Sequence, residues 1–274
     1  MKIAIRLSVS IFLLLVSSPV FSQTSKIVSH SDWGEIFEKA SVKGTIVFKF
    51  MDEDQLHVFN ETRAQDRKLP ASTFKVIHSL IAYETGVVTR ANHLFKWDGK
   101  PQWLKAWEKD LTFKEAIKVS AVPVYKRVAR SIGSKQMGNW LKRLNYGNKS
   151  IEGGIDQFWL SGGLRISAIE QVRFLEKLYK GELDASQEGQ AFVRDLMPLS
   201  KHKCFETRDK TGLAFRKGSP HIGWWIGWAK ASQKIIFFAL NIDITDKKQY
   251  GLRQSIVISL LEQARLFKGI SCKS

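Results

Sequence analysis

The hydrophobic period changes twice along this chain, and that order limits the folds open to it. Gly44 to Phe50 (GTIVFKF) is β-branched and aromatic, with turn residues at Asp52-Glu53-Asp54, and Leu56 to Phe59 reads as its hairpin partner. The period then becomes helical. Over residues 72–85, Phe74, Ile77, Leu80 and Ile81 share one face, and Gly86 follows as a stop. Residues 112–145 read as short helices: around Ala116, from Pro123 through Ile132, and from Lys135 to Leu144. Ser167 with Glu170 predicts a capping box opening a helix that carries Ile169, Val172, Leu175 and Leu178. A further helix near 186–196 ends before Pro198. The period of two then returns at 204–210, 222–229 and 234–242, with Ile235 to Leu240 as a buried central strand. A last helix is expected from about Tyr250 to Phe267. This order predicts an α+β fold: an antiparallel sheet built from both chain ends and flanked by helices, with a helical lobe inserted. The sheet lobe would take about 23–65 and 165–274, and the helical lobe about 66–164, in a single catalytic domain. Sites in such folds lie where the lobes meet.

The first 22 residues do not belong to that domain. Lys2 and Arg6 make a positive n-region, Ile11 to Val16 centre a short apolar stretch, and Pro19 breaks it before Val20-Phe21-Ser22. This is the pattern of a secretory signal peptide cut near Ser22/Gln23. No stable membrane insertion is expected, because no other apolar run approaches a membrane-spanning length. The mature protein is expected to be secreted, and periplasmic in a diderm host. The chain is basic, at +17. Its charges are interspersed and no run of five like charges exists, so nucleic acid is not expected as a partner. A homodimer stays open. Cys204 and Cys272 would meet an oxidising compartment, but spacing alone does not decide whether they pair. Two cysteines and six scattered histidines are too few and too dispersed for a metal cluster, and no metal or cofactor is expected.

The chemistry-bearing residues come in four short tracts. In Ser72-Thr73-Phe74-Lys75 a lysine stands one helical turn from a serine, at a helix start that supplies free N–H donors. Such an S-x-x-K is expected about once in a chain of this length at ordinary composition. It recurs here at Ser200 to Lys203. Ser120-Ala121-Val122 precedes Pro123, where the serine could relay a proton or merely cap a helix. Tyr146-Gly147-Asn148 reads as a helix stop with Gly147 in the left-handed position, and could still line a site. Lys210-Thr211-Gly212, at the end of a predicted strand, offers a cation, a hydroxyl and close backbone approach. Each tract alone is weak; the ordered set is not.

With these four tracts the chain resembles the class D, or oxacillinase-type, serine β-lactamases over essentially its whole mature length. Phe158-Trp159-Leu160, Gly223 to Trp228 (GWWIGW) and Tyr250-Gly251-Leu252-Arg253 add to the resemblance. S-x-x-K and K-T-G are shared with class A enzymes and penicillin-binding proteins. Class A would show Ser-Asp-Asn where this chain has Ser-Ala-Val.

The resemblance implies hydrolysis of β-lactam antibiotics through an acyl-enzyme on Ser72. It implies that Lys75 takes up carbon dioxide as a carbamate (an N6-carboxylysine) and serves as general base for acylation and deacylation. Bicarbonate would then be needed, but no bound cofactor. Burial lowers a lysine pKa, which makes the neutral amine that such a reaction requires. The carbamate would need donors, implied to be the Trp159 indole, Ser72 and Ser120. Ser120 would shuttle the proton to the departing nitrogen, and the backbone N–H groups of Ser72 and Leu213 would form the oxyanion hole. Lys210, Thr211 and Arg253 would hold the substrate carboxylate, Arg253 as a bidentate partner. Gly212, Val122, Leu160 and Trp107 complete the implied substrate pocket.

The same motifs leave other readings open: a β-lactam sensor that stays acylated, a small penicillin-binding transpeptidase or carboxypeptidase, or an envelope-binding protein with a dead site. Two departures bear on substrates. Leu213 follows K-T-G where an aromatic is frequent, which would remove a stacking contact, and the Ala214 to His221 connection is unusual. Trp224, Trp225 and Trp228 are expected in the core, and His78, His202 and His221 receive no role.

Overall fold

The computed structural model describes residues 26–263. The expected signal peptide and Cys272 therefore lie outside the described residues, as does the expected end of the last helix at Phe267. The chain enters as strand β1 (Lys26–Ser29), helix α1 (Gly34–Lys39), strands β2 (Gly44–Phe50) and β3 (Gln55–Phe59), and a short helix α2 (Glu61–Gln65). A 3-10 turn over Ala71–Phe74 runs into α3 (Lys75–Glu84). The helical region continues with β4 (Leu94–Phe95), β5 (Leu111–Thr112), α4 (Phe113–Lys118), α5 (Val122–Ile132), α6 (Ser134–Arg143), α7 (Ala168–Lys180) and α8 (Gln187–Leu196). Strands β6 (Leu199–Lys201), β7 (Glu206–Ala214), β8 (His221–Ala231) and β9 (Lys234–Ile244) precede α9 (Leu252–Gln263).

Seven strands form one sheet in the order β1-β3-β2-β9-β8-β7-β6, so strands from the two chain ends meet where β2 pairs with β9. The fold is the expected α+β arrangement. Successive side chains of a strand point to opposite faces, and here both faces are covered. On β9, Ile236, Phe238, Leu240 and Ile242 join the core beneath α1 and α9, while Ile235, Phe237 and Ala239 join the core beneath α7 and the helical lobe. A sheet buried on both faces needs a continuous apolar run rather than alternation, which is why Ile235 to Leu240 contains no polar residue.

Three local expectations are corrected. The sheet does not open with an antiparallel hairpin: β1 precedes it and pairs in parallel with β3. A four-residue strand of which only Ile27 and Val28 are apolar carries too little periodicity to be read, and main-chain pairing with β3 defines it. The stop of α6 comes at the left-handed Asn145 (φ 49°), two residues before Gly147. Gly147 is left-handed as well, but for close packing: a Cβ there would fall 2.1 Å from the Arg165 carbonyl oxygen. Finally, Lys210-Thr211-Gly212 lies inside β7, not at its end.

The helix opening at Ala168 has the capping box read from Ser167 and Glu170, with each side chain satisfying the other residue's backbone N–H. Trp224, Trp225 and Trp228 are buried as expected. Cys204 is engaged in a disulfide.

Candidate active site

The Ser72 turn is held from three sides. Lys68 exchanges both backbone hydrogen bonds with Ile166. The Trp224 indole N–H donates to the Leu69 carbonyl at 2.9 Å, and the Ala71 N–H donates to the Trp159 carbonyl at 3.0 Å. Ala71 is left in the left-handed region at φ 48°, strain that the surrounding bonds must offset. β7 runs alongside the turn. A Cβ on Gly212 would lie 3.0 Å from the Pro70 carbonyl oxygen and 3.1 Å from Thr73 Cγ2. The glycine of K-T-G thus permits close approach, and what approaches is the turn that carries Ser72.

Lys75 opens α3, and its Nζ lies 2.9 Å from Ser72 Oγ. The side chain is wholly buried, with the centroid of the Tyr125 ring 5.1 Å from Nζ. Burial, with a smaller contribution from nearby Lys210, holds the amine well below the usual lysine range. Ser79, one turn on, donates to the Lys75 carbonyl and pairs with the Tyr125 hydroxyl. The Trp159 indole N–H is buried with no hydrogen-bond acceptor among the described residues. His78 packs against Trp159 at 5.3 Å and Tyr125 at 5.2 Å, and burial pushes its pKa down to about 3, so it is neutral.

Ser120 is not a helix cap. It sits between α4 and α5 at φ 54°, and α5 starts without a side-chain cap. Its backbone is instead bent so that its hydroxyl receives the Lys210 ammonium. Lys210 also donates to the Thr211 carbonyl at 2.9 Å, and burial brings its pKa down to about 8. Arg253, at the start of α9, donates through Nε to the Tyr250 carbonyl and through Nη1 to the Gly212 carbonyl. These bonds fasten it to β7 and leave Nη2 without a bond among the described residues. No ion pair with a surface acid forms there.

These groups meet at one cleft of about 600 Å³. Ser72, Trp107, Ser120, Val122, Leu160, Thr211, Gly212, Leu213 and Arg253 line it. Lys75 and Trp159 lie buried beneath, and Lys210 reaches it through Ser120. Tyr146-Gly147-Asn148 does not line the cleft. Tyr146 packs against Phe74, and Asn148 bonds the Gly163 carbonyl and the Arg165 N–H, so the tract braces the segment carrying Trp159. Sequence reasoning missed Trp103, Leu104 and Phe215, which also line the cleft. Trp103 is 67% exposed and Phe215 49%, with their rings 5.4 Å apart. Exposed aromatics in loops have no periodicity to reveal them. Phe215 also restores, two residues on, the aromatic surface that Leu213 lacks.

A serine beside a buried lysine of lowered pKa, against strand β7 of a sheet whose faces are covered by helices, defines a serine enzyme of the penicillin-binding kind. The family model for the penicillin-binding protein transpeptidase domain matches residues 15–262. Among curated proteins, the chain is 40% identical to β-lactamase OXA-10 of Pseudomonas aeruginosa, over 89% of this chain and 92% of that protein. It is 39% identical to β-lactamase OXA-48 of Klebsiella pneumoniae, over 86% and 89%. Among solved structures, FUS-1 (OXA-85), a class D β-lactamase from Fusobacterium nucleatum subsp. polymorphum, superposes with a TM-score of 0.83 at 39% identity, covering 88% of this chain and all of that one. The chain belongs to the class D β-lactamases of the transpeptidase-domain family, and it is a serine β-lactam hydrolase.

Proposed function

We propose that Lys75, as its carbamate, is the general base for both halves of β-lactam hydrolysis. The observation that carries this reading is the Trp159 indole N–H, a buried donor with no acceptor among the described residues, whose ring packs on His78 and through it on Tyr125, the ring 5.1 Å from Lys75 Nζ. A buried donor without a partner costs about 1–3 kcal/mol, and an anion on Lys75 Nζ would satisfy it. The lowered Lys75 pKa supports the same reading, since the neutral amine attacks carbon dioxide and releases one proton as the carbamate forms. The residues present therefore fit the modification.

In the acylation half, the carbamate takes the Ser72 proton as Oγ attacks the lactam carbonyl. The backbone N–H groups of Ser72 and Leu213 receive the developing oxyanion. Ser120 delivers a proton to the departing nitrogen, and Lys210, hydrogen-bonded to Ser120, makes that hydroxyl a better donor. Thr211 and the free Nη2 of Arg253 take the drug carboxylate, while Val122, Leu160 and Trp107 hold its apolar body. In the deacylation half the same base deprotonates the attacking water. We also propose that the chain is exported and cut near Ser22/Gln23.

Intact-mass time courses with a penicillin test the base. A Ser72 adduct should rise and decay, and in protein freed of carbon dioxide at low pH and returned to neutral buffer the decay should stall until bicarbonate is added. Equally fast decay without bicarbonate would overturn the proposal. An adduct persisting for hours in bicarbonate would make the protein a sensor or penicillin-binding protein.

A further inference from the structure

Charge is unevenly placed on this molecule. Residues 113–150, which fold as α4, α5 and α6, hold nine Lys and Arg and one acid, Glu115, so that this stretch carries +8 of the chain's +17. The helices are amphipathic, with Val124, Tyr125 and Val128 of α5 and Met137 and Leu141 of α6 facing the core. The cations are therefore turned outward. Arg130 and Arg143 pair with Asp156 and Asp184. Lys114, Lys118, Lys135 and Lys142 are exposed and take part in none of the described ion pairs.

Exposed apolar groups stand beside α4 and the start of α5. Leu94 is 48% exposed and pairs in the β4–β5 ribbon with Thr112, the residue that caps α4. Trp97 is 38% exposed. Its neighbour Lys96 is tied to α5, because Arg127 donates to the Lys96 carbonyl at 2.7 Å and lies over the Phe95 ring at 5.4 Å. Asp110 pairs with Lys96 and accepts from the Trp97 N–H, so the apolar margin is locally neutralised, and the unpaired lysines of α4 and α6 supply the charge of an interface with an apolar margin. A nucleic acid would call for open stacking platforms. Trp140, the tryptophan of α6, is half-buried and has the Arg143 guanidinium over its ring at 4.7 Å.

We propose that this outer face of the helical lobe docks the enzyme peripherally on a membrane surface bearing anionic phospholipid headgroups. No described helix is long and apolar enough to cross a membrane, so the contact is one of surface charge with a shallow aromatic margin. Docking and hydrolysis use different residues.

The test is sedimentation of the mature protein with vesicles of phosphatidylcholine alone, or with about a third phosphatidylglycerol, in about 0.15 M salt. The protein should bind only the anionic vesicles. The triple variant K114E/K135E/K142E should weaken binding by at least about a hundredfold. The matched reversal K43E/K201E/K247E, on other surfaces, should keep it within about threefold, and both variants should hydrolyse a penicillin as the parent does. Absence of binding to anionic vesicles would overturn the proposal. So would equal loss in the two variants, which would make the attraction one of net charge alone. Retention on a DNA or heparin matrix without vesicle binding would also overturn it.

Discussion

Two side chains at the base of the cleft are set by burial, and each gives a measurable consequence. Trp159 is wholly buried, and its indole N–H finds no acceptor among the described residues. Trp159→Phe keeps the ring and removes the donor. We expect it to fold normally and to need roughly ten- to a hundredfold more bicarbonate for half-maximal turnover, the cost of one donor to a buried anion. Full activity in bicarbonate-free buffer would refute the role. Lys210 has its pKa brought down to about 8, chiefly by burial, with Arg253 adding to the shift and Asp209 opposing it. Its ammonium is present below that pKa and lost as pH rises through it. For a carboxylate-bearing drug, kcat/KM should therefore fall above about pH 8. Lys210→Arg, with a charge that persists, should move that limb upward, as a pH–rate profile would read. An unmoved limb would assign it to another group.

At the scale of elements, the site depends on how closely β7 can lie against the Ser72 turn. Gly212→Ala would put a methyl 3.0 Å from the Pro70 carbonyl oxygen and 3.1 Å from Thr73 Cγ2, where neither neighbour is a flexible chain end. The turn is fixed elsewhere by Trp224, Ile166 and Trp159, so β7 must move or the oxyanion donors separate. Misplacement on the order of 1 Å costs catalysis about a hundredfold. We expect kcat to fall by up to that factor while thermal unfolding shifts by only a few degrees. A loss of stability large enough to account for the lost activity would contradict this reading. Single-turnover acylation beside calorimetry separates the two. The bent backbone at Ser120 belongs to the same scale. The residue looks like a cap in sequence, yet at its left-handed φ its hydroxyl meets Lys210 of β7.

For the whole molecule, one buried ion pair joins the sheet to the helix that covers it. Lys49 of β2 meets Glu176 of α7 at 2.8 Å, with both side chains largely buried, and Lys180 closes on the same carboxylate. Glu176→Ala would leave Lys49 buried without its counter-charge, at a cost of about 3 kcal/mol. The double variant K49M/E176L should recover most of that stability in denaturant titrations; failure to recover it would mean that the pair itself stabilises the packing. Much of this architecture was legible in advance. Apolar periodicity placed the central strands and most of the helices, because burial on two faces forces continuous apolar runs and burial on one side of a helix forces a stripe. The ordered tracts at Ser72, Ser120 and Lys210 pointed to a β-lactam hydrolase through the class D resemblance that they carry together. Other features depended on contacts between segments far apart in the chain. The pairing of β1 rests on main-chain bonds, which leave little mark in side-chain pattern. The aromatic margin of Trp103 and Phe215 comes from two loops over a hundred residues apart, meeting at 5.4 Å. The closeness that gives Gly212 its purpose exists only once β7 lies against the Ser72 turn. The sequence by itself determined which groups must be buried and which chemistry they carry. Only the tertiary structure decided which of them touch, since contact between distant segments depends on how whole layers pack and not on the neighbours of any one residue.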